Sequence, residues 1–446
     1  MMKENELMSS MKVSKAVAQM AIPSVISSLV TIIYNMADTF FVGQTGDPLQ
    51  VAAVSLTNPI FILFMAFANM FGMGGSAAAS MAMGEKNETR AKQVSAFVAY
   101  ASLAVGVVAA AVLMIFPGPI LGLFGASGET MTYAFGYTFH IAYGAPFIIW
   151  SAAASFVVRA EGASKEAMIG SMIGTAANIV LDPIMISGLG MGAAGAAIAT
   201  TLGNMMASVY YLWYFLKKSR YFSIRPADFS MKNKVAVQIC TTGAPTAIFS
   251  VLMSVSTIIL NQILVSYGDA PVAAIGIVFK ANMFITFLQM GLANGVQPLL
   301  GYNYGAGNHE RFVAVEQFTK KCCLIIGILS TLLFFYGRTA VIQLFIDDPD
   351  VINYGVKMLV AYILSGPVIG FLFVNMNCLQ SVGDALPATV LSVLRQGLLL
   401  VPLLYLLNAL LGLDGVIYGQ AITDYVAVIL SGILWNRWKR AHVQKA

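Results

Sequence analysis

The apolar residues of this chain arrive in about twelve runs of about 20 or more, each closed by a short polar joint. A bilayer core takes about 20 helical residues to cross, and inside it each backbone N–H and C=O must be satisfied within its own segment. Runs of this length therefore predict a bundle of membrane-spanning helices. They cover roughly 18–42, 51–77, 93–116, 131–158, 166–188, 193–216, 239–267, 272–299, 318–338, 353–380, 387–409 and 412–435. Several are longer than a bilayer requires, which predicts tilts or kinks. Pro23, Pro146, Pro183, Pro245, Pro367 and Pro402 are the expected kink points. The chain is 58% hydrophobic and 10% charged, far below the charge density of a soluble domain. That balance excludes a soluble enzyme, a secreted disulfide scaffold and a nucleic-acid-binding module.

The Lys and Arg residues orient the bundle. Of the 25, twenty-one lie at the termini or in the even-numbered joints, two (Arg338, Lys357) in odd-numbered joints, and two (Lys280, Arg395) inside runs. Basic residues mark the cytoplasmic side, so both termini are expected there. The net charge of +5 is then a signal of topology and needs no nucleic acid or other polyanion as partner. Cys240, Cys322, Cys323 and Cys378 lie in or beside apolar runs with no CxxC spacing, and read as small buried hydrophobes. No cleavable signal peptide is expected: the first 17 residues are charged and lack a separate apolar core.

The chain also repeats itself. Pro23 matches Pro245, Ala52-Ala53 matches Ala273-Ala274, Gly72 matches Gly295, and GEKNETR (84–90) matches GNHER (307–311). Gly162 and Gly195 likewise match Gly383 and Gly415. An even number of spans per repeat gives parallel repeats, related by an axis along the membrane normal. The expected fold is an all-α polytopic membrane protein with about twelve transmembrane helices, in two parallel-repeat six-helix lobes around a central cavity. Residues 1–216 and 237–446 are the expected lobes, with the basic stretch 217–236 as a cytoplasmic linker. Two lobes around a cavity are the usual architecture of an alternating-access transporter.

Ionisable side chains in hydrocarbon are costly and so point to function. Five fall within the runs: Asp38, Asp182, Lys280, Arg395 and Asp424. At about 1.5 Å per residue, Asp38 and Asp182 sit at one level in the outer half of the first lobe. Asn178 precedes Asp182, and Tyr34 precedes Asp38, by one helical turn. Two neighbouring carboxylates in a medium of low dielectric resist ionising together, as a proton-coupled carrier requires. The competing reading makes each Asp a structural anchor for its own helix. Lys280, Arg395 and Asp424 all fall near the midplane of the second lobe. A Lys280–Asp424 pair is expected there, with Arg395 as the competing partner. Met-rich stretches, with Met65, Met73 and Met290 among them, suit an adaptable cavity wall, alongside Tyr34 and Asn35, although Met on core or lipid-facing helix surfaces is the commoner arrangement. No P-loop is present, and His140, His309 and His442 match no metal spacing.

Three segments together resemble the multidrug and toxic compound extrusion (MATE) family: PSVISSLVTIIYNMADTFFVG (23–43), VVRAEGASKEAMIGSMIGTAANIVLDPIMI (157–186) with GMGAAGAAIATTLGN (190–204), and GVQPLLGYNYGAGNHER (295–311). The resemblance covers the whole chain and is nearest the DinF-like branch, which includes drug exporters of the MepA type. It implies a non-enzymatic antiporter in the bacterial inner membrane, a multi-pass monomer among membrane lipids. Such a protein exports amphipathic, cationic small molecules, needs no cofactor, and draws on a proton or sodium gradient. It also implies that Asp38, Asn178, Asp182 and Thr200 form the coupling cluster, for protons or for a sodium ion. Members with sodium coupling in the second lobe carry a Glu in span seven and an Asp in span ten. The corresponding runs here hold no acid, which favours protons. The rival expectations are a flippase for a lipid-linked precursor, which calls for a strongly basic cavity, and a non-transporting receptor or scaffold, which has no use for paired acids.

Overall fold

The computed structural model describes residues 2–44, 46–232 and 234–442, except for the side chains of residues 2–5, 38 and 39. Nearly all the described residues are helical. The first half contains α1 (Val13–Gly43), α2 (Pro48–Gly84), α3 (Glu88–Ile115), α4 (Gly128–Ala160), α5 (Ser164–Gly188) and α6 (Gly192–Lys217). The second contains α7 (Val235–Val265), α8 (Asp269–Gly305), α9 (His309–Tyr336), α10 (Pro349–Ile363 and Gly366–Ser381), α11 (Ala385–Leu411) and α12 (Leu413–His442). Ten of these are apolar and long enough to cross a membrane, and α10 is a broken span bent by 46°. The remaining helix is α6, the sixth run, which has 26 residues; its Gly, Thr, Ser and Asn lower its mean hydropathy. Large apolar side chains such as Val107, Val108, Leu329 and Leu333 point outward, as lipid-facing residues must.

The prolines act unequally. Pro23, Pro146 and Pro245 lie inside continuous helices. Pro367 opens the second piece of α10 just after the bend. Pro183 ends the regular part of α5 and leads into a π-helical turn, Ile184–Gly188. A second π-turn, Leu394–Leu399, interrupts α11 ahead of Pro402. Turns of this kind loosen a helix locally and are frequent at functional sites.

The repeat is visible in the packing. Asn87 caps α3 by accepting from Arg90 N, and Asn308 caps α9 by accepting from Arg311 N, each at 3.0 Å. Helices α2 and α8 cross along matching stripes, Ser76-Ser80-Gly84 against Gln297-Gly301-Gly305, small at every position but Gln297. Ser76 Oγ donates to Gln297 Oε1 at 2.8 Å, across a separation of 221 residues. At that same spacing, a methyl added to Gly301 would strike Ser80 Oγ. One added to Gly84 would strike the Tyr302 carbonyl, and one added to Gly305 the Met81 carbonyl. The crossing thus lies on the pseudo-two-fold axis, with equivalent residues facing each other. On either side, α2 packs on α7 and α8 on α1. Gly74 meets the Ile239 carbonyl, Gly243 meets the Met70 carbonyl, and Gly295 meets Ala21 and Ser24. All these contacts lie toward the end of the molecule that bears the basic joints. Beyond Met70 and Gly243 the helices part around an apolar cleft of about 320 Å³, lined by Leu63, Phe67, Ala247, Ile248, Val251 and Leu252 among others.

The joint between the halves is strapped to the first half. Glu161, 6% exposed, accepts from Arg220 N (2.7 Å), Tyr221 N (2.8 Å), Tyr214 Oη (2.7 Å) and Ser219 Oγ (3.1 Å). Ser95 Oγ donates to the Ser223 carbonyl at 2.9 Å, Tyr100 Oη donates to the Ile224 carbonyl at 2.9 Å, and Phe229 stacks on Phe97. Burial pushes the Glu161 carboxyl above the usual carboxylate range, while its four donors pull it the other way. Glu161→Ala strands those buried donors and is expected to cost about 2–4 kcal/mol. Glu161→Gln keeps an acceptor and should cost less. Thermal unfolding of the purified variants checks the order.

Candidate functional site

In the first half, α5 and α6 bring three of the expected residues together. Asn178, Asp182 and Thr200 are all buried, Asp182 at 0% exposure. Asn178 and Asp182 stand one helical turn apart on α5. The close approach of α6 is allowed by Gly174 and Gly203, where any added methyl would press on the opposing backbone. The Thr200 N–H is a fixed donor that selects the amide oxygen of Asn178, at 3.0 Å. Asn178 Oδ1 also accepts from Thr200 Oγ1 at 3.2 Å, which leaves Nδ2 to donate to Asp182 Oδ2 at 3.0 Å. Tyr34 Oη lies 3.4 Å from Thr200 Oγ1. The donors therefore run in one direction, from Tyr34 through Thr200 and Asn178 to the Asp182 carboxylate. An ionised acid is the natural end of such a chain.

The chain begins at a cavity of about 340 Å³, lined by Tyr34, Asn35, Ser55, Asn58, Tyr137 and Thr200 together with Val42, Val51, Val54 and Phe61. Tyr34 and Asn35 are the expected cavity residues found here, and Thr200, expected only in the coupling cluster, joins them; Ser55, Asn58 and Tyr137 carry no charge or motif that singles them out. Asp38 belongs to α1, but its side chain lies outside the described residues. The expected Met wall is revised. Met73 is 1% exposed, within the packed interior, because it sits beside the small-residue crossing of α2. Met65 and Met290 are partly buried against separate apolar cores. Among the described residues, no group of three His, Cys, Asp or Glu side chains is gathered as metal ligands would be.

In the second half, Asp424 pairs with Arg395 and not with Lys280. Arg395 Nε donates to Asp424 Oδ1 at 2.8 Å, and both side chains are buried. Gln420 Nε2 donates to Oδ1 at 2.9 Å and Ser365 Oγ to Oδ2 at 2.8 Å. The Arg395 guanidinium carbon lies 5.3 Å from the Phe249 ring and 5.6 Å from the Phe373 ring. Lys280 instead places its ammonium 5.7 Å from the Phe345 ring. Depth alone could not separate the two cations; the π-turn that carries Arg395 turns it toward α12.

The MatE family model matches residues 23–184 and again residues 245–406. The multidrug export protein MepA of Staphylococcus haemolyticus is 32% identical over 437 residues, covering 97% of this chain and 95% of that protein. MepA of Staphylococcus aureus is 31% identical over 426 residues, covering 95% of this chain and 93% of its own length. Among solved structures, one described as MATE in complex with MaL6 superposes with a TM-score of 0.94 at 26% identity, over 100% of both chains. A multidrug resistance MATE family transporter described as outward-facing superposes with a TM-score of 0.91 at 26% identity, over 100% of this chain and 99% of the other.

Proposed function

The chain belongs to the MatE family, and from that membership and the site geometry we propose that it is a secondary active antiporter, exporting amphipathic cationic compounds in exchange for protons. The observation that carries the reading is the fully buried Asp182 at the end of a one-way chain of donors reaching a cavity at Tyr34. Residues 1–216 and 237–446 act as the two moving units, in the cytoplasmic membrane of a bacterium, with the basic joints and both termini on the cytoplasmic side. The names of the MepA relatives support the multidrug part of the reading.

The ionised carboxylate accepts from Asn178. Once protonated, it becomes a donor, and the amide oxygen of Asn178 is an acceptor within reach. The amide then turns over and offers Nδ2 to Thr200 Oγ1, 3.2 Å away in that orientation, and the Thr200 N–H keeps only its place in the helix, losing the Asn178 oxygen. The link between α5 and α6 weakens where α5 already carries its π-turn. With Asp38 protonated as well, α1 is free to bend at Pro23. Neutral acids no longer attract a cation, so the substrate leaves. The amide offers Asp182 its nitrogen and not an oxygen, an arrangement that suits a proton better than a sodium cage. The cavity lining is free of Lys and Arg among the described residues, which argues against a phosphate-bearing lipid cargo.

Ethidium uptake into inverted vesicles, in which export runs inward, tests the reading. Collapse of the proton gradient is expected to stop uptake, and removal of sodium to leave it unchanged; the reverse result overturns the proton assignment. Apparent ethidium affinity of the purified protein should fall steadily from about pH 8 to about pH 5 as the acids take up protons.

A further inference from the structure

The Arg395–Asp424 pair is built unequally. Asp424 is held on both oxygens, by Gln420 and Arg395 on one and by Ser365 on the other. Arg395 is held by Nε alone, and its buried Nη1 has no hydrogen-bond partner among the described residues. A guanidinium facing a carboxylate ordinarily uses two parallel bonds. Here it uses one, at 5% exposure, with the rings of Phe249 and Phe373 lying 5.3 Å and 5.6 Å from its guanidinium carbon. A carboxylate with two aromatic rings beside it is a construction that binds organic cations. In this chain it is complete, and its occupant is the chain's own side chain.

We infer that Asp424, Phe249 and Phe373 form a binding box for a planar organic cation, which Arg395 fills in the absence of substrate and which an amphipathic guanidinium or amidinium enters by displacing it. The surroundings fit such a ligand. Phe249 lies on α7 one turn before Leu252, which lines the apolar cleft, and itself packs against the buried core on the other side of the helix. Leu252 stands against Gly397, where an added methyl would lie 3.5 Å from it, within the same π-turn as Arg395. Leu252 stands between the cleft and the π-turn, so a ligand whose charged head fills the box lays its apolar body in the cleft once Leu252 shifts aside. The irregular turn lets Arg395 swing aside more easily than a regular helix would. Exchange of the occupant also reaches the backbone, because Ser365 sits at the 46° break in α10 and is held there by Asp424.

This inference rests on the export reading and deepens it. The test uses the full-length protein in nanodiscs, with octylguanidinium as the charged probe and octylurea as its neutral isostere. Arg395→Met removes the internal occupant and should tighten octylguanidinium binding about tenfold, since the ligand no longer competes for the box. Octylurea should gain nothing, and Arg395→Met combined with Asp424→Asn should lose the gain. Millimolar guanidinium chloride should raise the thermal midpoint of Arg395→Met, but not of wild type, by refilling the vacated site; sodium chloride and urea should not. Arg395→Met that binds octylguanidinium no better than wild type, or gains equally for octylurea, overturns the box. Should that variant not fold, Arg395→Lys, which loses the planar fork, is measured the same way, and no gain in affinity overturns the box equally. Wild-type protein that binds neither octylguanidinium nor ethidium overturns the export reading itself.

Discussion

Asp182→Asn is expected to leave folded protein in the membrane and to reduce proton-driven efflux to the level of vesicles without the transporter. The substitution keeps the shape of the side chain and keeps an oxygen for Asn178 Nδ2, which donates at 3.0 Å. It removes a charge from a side chain at 0% exposure, a change worth about 2–3 kcal/mol in favour of the membrane-inserted state. Thermal stability should therefore hold or rise while coupling is lost. A variant that still exports ethidium with normal pH dependence would remove Asp182 from the coupling site. Thr200→Val is the companion test. It cuts the donor chain between Tyr34 and Asn178 without touching the acid, and should slow efflux and shift its pH profile without abolishing it. Asp38→Asn belongs in the same series on sequence grounds.

Gly243→Ala should be nearly as damaging by a different route. A single methyl at this position falls on the Met70 carbonyl of α2, and one at Gly74 falls on the Ile239 carbonyl of α7. Neither obstacle is a flexible side chain, so the helices themselves must separate. Overpacking of this kind costs about 1–3 kcal/mol and occasionally more. The separation would also open the end of the molecule where the halves meet, and efflux should fall with it. Because both glycines set the distance between the same two backbones, the Gly74→Ala, Gly243→Ala double variant should cost less than the sum of the singles. Additive losses in thermal unfolding would mean that the two contacts yield independently.

What the sequence made legible follows from which forces are local. The spans, the repeat and the Asn178–Asp182 pairing depend on composition, periodicity and the 3.6-residue turn, and each can be read from neighbours in the chain. Thr200 was found by resemblance, since nothing in its own helix marks it. The partner of Asp424 was not legible: Lys280 and Arg395 lie at similar depth, and the choice is made by a π-turn that leaves no sequence signature. Met73 looked like a cavity wall because thioethers suit such walls, but the small residues around it draw the helices together and bury it. The strap at Glu161 was equally hidden. Its donors lie 53 to 60 residues away, in a joint that reads as a loose basic linker.

The crossing of α2 and α8 bears on where such a chain comes from. Residues that face their own equivalents across an axis make an isologous contact, the kind that joins two copies of one subunit in a C2 dimer. A single six-helix ancestor could have used this stripe to pair with itself, and fusion would have preserved the pairing. In a true dimer, however, every substitution on the axis is made twice, so a large residue there would collide with its own copy. Fusion lifts that restriction. Ser76 opposite Gln297, and Ser80 opposite Gly301, are pairings of unequal residues that two identical subunits could never have made.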